Sequence, residues 1–280
     1  MILVVGANGM LGKDLMATLA GEVRGVDLAD IDITSPESVQ RVITTLRPRV
    51  IINAAAYTDV DGCETNQEQA FAVNGEGVAN LALAARDMGS LLVQISTDYL
   101  FDGSKGSPYL EDDLINPLSI YGQSKMAGEM NCRVAPEHLI IRTQWLYGLQ
   151  GKNFVETMLK LSTERDELAV VDDQIGAPTW TRELCRAIVQ LIDKGCRGTY
   201  HAAASGSCSW YQFANAIFEE AGVKIRVKPL TTKELGRPAA RPAHSVLDCG
   251  KLAADTGIQM VEWRQALRGY LQERGQRSKN

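Results

Sequence analysis

Tyr121 and Lys125 stand four positions apart in Tyr121-Gly122-Gln123-Ser124-Lys125, a spacing that sets a phenol and an ammonium on one face of a helix. A free tyrosine titrates near pH ~10 and is a sluggish acid–base group at neutrality; a neighbouring cation favours the phenolate and draws that value down. The pair alone could be an ordinary surface contact. Its weight comes from order along the chain: a glycine turn opens the sequence, Ser96-Thr97-Asp98-Tyr99 ends an apolar run, and Tyr121 and Lys125 come next. Thr97 can donate a hydrogen bond to a carbonyl oxygen as negative charge gathers there. Thr97, Tyr121 and Lys125 are therefore the candidate catalytic set.

The run Ile2–Val5 leads into Gly6-Ala7-Asn8-Gly9-Met10-Leu11-Gly12. Glycines in such a turn let backbone approach a pyrophosphate, while the following helix offers unpaired N–H groups to the anion. The Gly-x-x-Gly-x-x-Gly spacing departs from the Gly-x-Gly-x-x-Gly of ordinary dinucleotide folds, and its place directly after a strand makes it a cofactor site. Gly6, Asn8, Gly9, Met10, Leu11 and Gly12 are the expected contacts. Asp27 closes the second strand, where a carboxylate accepts from an adenosine ribose; with no arginine beside it for a 2′-phosphate, it favours NAD. Asp32 and Ile33 could cradle the adenine. Ala54, Ala55 and Ala56 are small enough for a cofactor to lie against backbone, with Ile95, Tyr121 and Lys125 along the same crevice.

Short β-branched runs alternate with helical patterns through the first half, the sign of parallel βαβ units. Strands are expected at Ile2–Val5, Val23–Val26, Val50–Asn53, Leu91–Ser96 and His138–Arg142, and helices at Met10–Ala20, Pro36–Leu46 and Gln67–Met88. The fold class is α/β: a Rossmann-type doubly wound parallel sheet with a smaller C-terminal α/β substrate-binding lobe. Residues 1–145 form the dinucleotide-binding domain, 146–272 mainly the lobe with parts returning to the sheet, and 273–280 a polar, frayed tail. Helices are expected near Phe154–Thr163, Thr181–Asp193 and Trp210–Ala221, strands near Leu168–Val171 and Gly198–His201, and an extended loop at Pro238–Pro242. Ligands bind at the carboxyl ends of such strands, which puts Ser96–Tyr99 at the mouth of the crevice.

The 280 residues carry 29 Lys and Arg against 34 Asp and Glu, a net charge of -5. That balance argues against nucleic acid or anionic membrane as a partner. No apolar stretch approaches the roughly 18 residues of a membrane span, and the N-terminus lacks the pattern of a signal peptide. The expected location is the cytoplasm. Cys63, Cys132, Cys185, Cys196, Cys208 and Cys249 are scattered without a Cys-x-x-Cys pair and suit reduced structural thiols. His138 and His201 lie in strand patterns and are expected in the core.

Longer blocks narrow the reading: Asn53-Ala54-Ala55-Ala56-Tyr57-Thr58-Asp59-Val60-Asp61, Val73-Asn74, Ser96-Thr97-Asp98-Tyr99-Leu100-Phe101-Asp102-Gly103, Pro117 through Lys125, Arg142-Thr143-Gln144-Trp145-Leu146-Tyr147-Gly148 and Arg241-Pro242. With the glycine turn, they resemble the dTDP-4-dehydrorhamnose reductases, of the extended short-chain dehydrogenase/reductase type, over essentially the whole chain. The resemblance implies that NADPH, or NADH, delivers hydride to the C4 ketone of dTDP-4-dehydro-L-rhamnose, giving dTDP-L-rhamnose. It implies Tyr121 as proton donor, Lys125 as the group that tunes it and binds the nicotinamide ribose, and Thr97 as carbonyl polariser. Asp98, Tyr99 and Trp145 match the family's substrate contacts, an indole face suiting the apolar patch of a deoxysugar. Arg241 matches a position where a guanidinium could hold the substrate pyrophosphate.

The chain departs from the family at Ala243-His244-Ser245, where an Asn-Ser usually follows the Arg-Pro pair. Asp14 and Glu183 lie near the place where some relatives bind magnesium at a dimer interface; Lys13 and Arg182 beside them argue against it, and no metal is expected. The expected partner is a small nucleotide sugar, with the chain a monomer or homodimer. Two alternatives stand beside this reading. One is reduction of another NDP-4-keto-6-deoxysugar, since base and hydroxyl preferences depend on loops in the second half. The other is a non-catalytic NADP-binding subunit resembling the regulatory subunit of methionine adenosyltransferase, which would have no reason to keep Thr97, Tyr121, Lys125 and Trp145 together.

Overall fold

Alternation along Leu3, Val4 and Val5 decides the layering. Leu3 and Val5 join Ile51 and Leu92 against the helices Pro36–Leu46 and Gly77–Met88 on one face of a sheet. Val4 joins Ile52, Val93 and Ile141 on the other, against Met10–Thr18 and Thr181–Asp193. Strands covered on both faces read as near-continuous apolar runs, as these do. In the computed structural model, which describes residues 1–277, the sheet has six parallel strands in the order Gly198–His201, His138–Thr143, Leu91–Thr97, Val50–Asn53, Ile2–Val5, Val23–Val26. The chain leaves Ile2–Val5 for a neighbour on one side and comes back to Val50–Asn53 on the other, so the topology switches beside the glycine turn.

The helix expected at Gln67–Met88 contains a π-helical turn at Ala72–Glu76, between Gln67–Phe71 and Gly77–Met88. Such a turn widens a helix and re-aims its side chains. Here it directs Asn74, whose amide donates to the Tyr57 carbonyl and to Ser124 Oγ, both at 3.0 Å, and accepts from the Tyr57 N–H at 2.9 Å.

The second lobe has its own core, with Tyr147, Phe213, Leu267 and Tyr270 fully buried. Thr181–Asp193 and Gly198–His201 are the later segments that rejoin the main sheet. The polar tail expected after Gln272 is instead the end of the helix Trp263–Arg277. Its buried stripe is only Ala266, Leu267 and Tyr270, narrow enough to be lost among polar neighbours, and Arg274 to Glu156 at 2.6 Å and Arg182 to Glu273 hold its last turns. Residues 278–280 of that expected tail lie outside the described residues. Among the described residues no helix is long and apolar enough to cross a membrane.

Candidate active site

Close approach builds the glycine turn. At φ +80°, Gly6 lies so near the next strand that a Cβ would sit 2.7 Å from the Ala55 nitrogen, and one on Gly12 would meet the Gly6 carbonyl oxygen. The helix from Met10 has no capping side chain at Gly9 and no acidic residue in its first turn, so its first N–H groups are free to face an anion. Asp27 braces the turn: Oδ2 accepts from the Asn8 N–H at 2.8 Å and Oδ1 from the Leu28 N–H at 2.9 Å. A cavity of about 530 Å³ opens there, lined by Gly6, Gly9, Asp27, Asp32, Ile33 and Ala54–Ala56 among others. Apolar walls with one or two carboxylates suit an adenosine and its ribose. Within it, Asp32 Oδ1 accepts from the Thr34 N–H and hydroxyl, at 2.9 and 2.7 Å. The side chains of Met10 and Leu11 pack within the protein: Leu11 lies in the layer with Leu15 and Ile52, and Met10 lies against Gly148.

At the catalytic end, strand Leu91–Thr97 runs into a short 3₁₀ turn, Asp98–Leu100. Thr97 Oγ1 donates to Asp98 Oδ1 at 3.1 Å and accepts from the Tyr99 N–H at 3.2 Å. The helix Ile120–Cys132 begins at Ser119, whose Oγ accepts from the Gly122 N–H, while the Ile120 N–H donates to Glu64 at 2.9 Å. Gly122 lets this helix seat on the Tyr99 carbonyl; a Cβ there would meet that oxygen. The close seat brings Tyr121 edge-on to Tyr99, ring centroids 5.4 Å apart, and beside Thr97.

Burial pushes the Tyr121 phenol above its ordinary value, against the pull of a hydrogen bond with Thr97, and the nearby Asp98 adds to the rise. Lys125 points elsewhere: its Nζ donates to the Ile95 carbonyl at 2.7 Å, and burial draws it down to about 8. Desolvation outweighs the hydrogen bond at Tyr121, and the Lys125 ammonium is anchored by backbone.

Asp98, 1% exposed, accepts from Ser245 Oγ at 2.5 Å and from Thr97. Burial pushes it up to about 7, although both hydrogen bonds oppose that. From the ordinary 3.8 up to that value the folded chain keeps a proton that the unfolded chain has released, so stability falls as pH rises through this window. Asp98→Asn is expected to flatten that fall. Thermal midpoints of parent and variant measured between about pH 4 and pH 7 should converge at the acid end and separate toward neutrality; parallel curves would show that Asp98 titrates normally.

Thr143 pairs in register with Thr97, so Trp145 emerges two residues past it, beside the strand end that carries Thr97. Its φ of +46° costs a non-glycine residue about 1–3 kcal/mol, strain that collects at ligand clamps. Its ring stacks on Trp210, centroids 3.6 Å apart. Arg241 Nη2 pairs with Asp61 at 3.0 Å and Nη1 donates to the Ala239 carbonyl at 2.8 Å, with Arg237 sharing the same carboxylate.

A family model described as the RmlD substrate binding domain matches residues 1–275. The spore coat polysaccharide biosynthesis protein SpsK of Bacillus subtilis is 44% identical over 98% of this chain and 97% of its own. The crystal structure of a dTDP-4-dehydrorhamnose reductase from Clostridium acetobutylicum superposes with a TM-score of 0.95 and 44% identity, covering 97% of this chain and 98% of that one. The chain belongs to the dTDP-4-dehydrorhamnose reductase family. Another member, from Bacillus anthracis, solved in complex with NADP, has a TM-score of 0.95 and 41% identity over 97% of this chain and 98% of that one.

Within this family member, three residues without an assigned role in the sequence hold the site together: Asn74 ties the Tyr57 turn to the Tyr121 helix, Glu64 receives that helix's first N–H, and Ser245 secures Asp98. Asn74 stands in the Val73-Asn74 block of the family resemblance, and a polar residue on a buried helix face was the signal of its role. Among the described residues no group of three His, Cys, Asp or Glu could hold a metal ion. Thr181 donates to Asp14, and Glu183 pairs with Arg186 at 2.5 Å.

Proposed function

We propose that this chain reduces the C4 ketone of dTDP-4-dehydro-L-rhamnose to dTDP-L-rhamnose with NADPH or NADH, in the supply of nucleotide sugar for cell-surface polysaccharide. The observation that carries this reading is the meeting of Thr97 and Tyr121 at one strand end, with Trp145 emerging beside it and the glycine-turn cavity on the same edge of the sheet. Asp27 suits a free ribose hydroxyl, and the Bacillus anthracis relative was solved with NADP, so both cofactors stay in the proposal. The cavity residues would hold the adenosine, with the glycine turn at the pyrophosphate.

The reduced nicotinamide supplies the hydride. Thr97 turns its hydroxyl from Asp98 to the carbonyl oxygen, where charge gathers. Tyr121, kept protonated by burial, gives its proton to that oxygen, which as an alkoxide is a much stronger base than a phenolate. Lys125, buried on the same helix and cationic below about 8, offsets the phenolate left behind. Asp98, Tyr99 and Trp145 take the sugar, and Arg241 takes the pyrophosphate by exchanging Asp61 for it.

Purified protein given dTDP-4-dehydro-L-rhamnose is expected to oxidise NADPH or NADH mole for mole with the appearance of dTDP-L-rhamnose, identified by mass spectrometry and NMR. Turnover with a different NDP-4-keto-6-deoxysugar alone would move the substrate. Silence toward every such sugar would replace the enzyme with an NADP-binding partner protein.

A further inference from the structure

The second lobe brings another indole to Trp145. Trp210 is half-buried in the first turn of the helix Trp210–Ala221 and stacks on Trp145 with planes 9° apart. Phe154 packs on Trp210 at 4.6 Å between centroids, so that Trp210 is backed by the core of the lobe. Gly176 closes on the nitrogen side of the Trp145 ring: a Cβ there would lie 2.5 Å from Cε2 and 2.7 Å from Cζ2. Held between the two, the ring has one place to be.

These neighbours share a frame. Cys208–Ser209, immediately before Trp210, pairs antiparallel with Ile175–Gly176, and a capping box at Ser209 sets the start of the helix. The Ile175 carbonyl accepts from the Ser245 N–H at 2.9 Å, and Ser245 Oγ reaches Asp98. Bonded backbone thus joins the indole pair to the carboxylate beside Thr97. A left-handed residue such as Trp145 persists only where its surroundings over-determine it, and Trp210 and Gly176 are those surroundings.

We propose that Trp210 and Gly176 are positioning residues that fix Trp145 as a rigid apolar wall for the sugar, and so set affinity for the nucleotide sugar rather than the rate of the chemical step. The proposal rests on the reading of Trp145 as a sugar contact. A flat apolar wall suits the methyl-bearing edge of a 6-deoxysugar and offers nothing to a hydroxyl.

Trp210→Leu removes the stack and keeps apolar bulk; Gly176→Ala pushes the ring from its other side and leaves Trp210 intact. Each is expected to raise KM for dTDP-4-dehydro-L-rhamnose about 3- to 10-fold, with kcat and the KM for NADPH within about twofold of the parent. Trp210→Phe, which can still stack, should recover part of the affinity. Circular dichroism reads the pair directly, since stacked indoles give an exciton couplet that Trp210→Leu should abolish. Unchanged sugar KM in both variants, alongside a raised KM in Trp145→Leu, would overturn the proposal, as would a loss confined to kcat. Should Trp145→Leu itself leave the sugar KM alone, the reading of Trp145 fails first and the proposal with it. If Trp210→Leu does not fold, Gly176→Ala decides alone.

Discussion

Tyr121→Phe is expected to lower kcat by about 10²–10⁴-fold while NADPH binding stays at the parent level. The substitution keeps the ring, its edge-on contact with Tyr99 and the seat of the helix on the Tyr99 carbonyl, and removes only the hydroxyl. The glycine turn is built by other residues, and the ring that phenylalanine keeps still lines the crevice, so cofactor affinity is expected to hold. The remaining donor near the carbonyl oxygen is Thr97, whose proton is far less acidic and is shared with Asp98. Single-turnover oxidation of NADPH and a fluorescence titration of the cofactor separate the two effects. Turnover at the parent rate would remove Tyr121 from the proton transfer, and weakened cofactor binding would assign it a structural role.

That Tyr121, Thr97 and the glycines could be read in the sequence has a physical reason. Each is constrained locally: a turn that needs glycine, a strand end that presents a hydroxyl, a helix spacing that keeps two side chains on one face. What Lys125 touches is not local, since its acceptor is the carbonyl of Ile95, thirty residues away on a neighbouring strand, and the outcome depends on how deeply both are buried. The sharing of Arg241 with Asp61 is hidden for the same reason, the two lying far apart in the chain. The spacing of Leu11 to Leu15 is that of a buried helix stripe, which leaves its backbone for a phosphate. The π-helical turn that aims Asn74 has no composition of its own, and the left-handed backbone of Trp145 runs against its residue type. The final helix escaped because its buried stripe is three residues wide in an otherwise polar stretch. Local rules find groups; tertiary contacts decide what each group faces.

Glu129→Ala is expected to cost about 3–5 kcal/mol of stability, more than any other substitution of a charged residue argued above. Glu129 and Arg142 form a two-pronged pair, both contacts at 2.9 Å, with side chains 2% and 3% exposed. Arg142 also donates to the Glu111 carbonyl at 3.1 Å and faces His201 Nε2 at 3.3 Å. His201 Nδ1 lies 3.1 Å from the carbonyl oxygens of Tyr109 and Asp248, which assigns the ring proton to Nδ1 and leaves Nε2 to accept from the guanidinium. Burial, with the guanidinium beside it, holds His201 down to about 3, so the imidazole stays neutral and cannot replace the lost anion. Without Glu129 the guanidinium is left desolvated with neutral acceptors only. The damage reaches the site because Glu129 shares a helix with Tyr121 and Lys125, while Arg142 begins the run to Trp145. Urea unfolding should show a lower midpoint at unchanged slope. Replacing both partners together, Glu129→Leu with Arg142→Met, should recover most of the loss, since two apolar side chains carry no charge to strand. A double variant as unstable as Glu129→Ala would mean that the pair is needed for the hydrogen bonds it makes to the loop at Glu111 rather than for balancing charge.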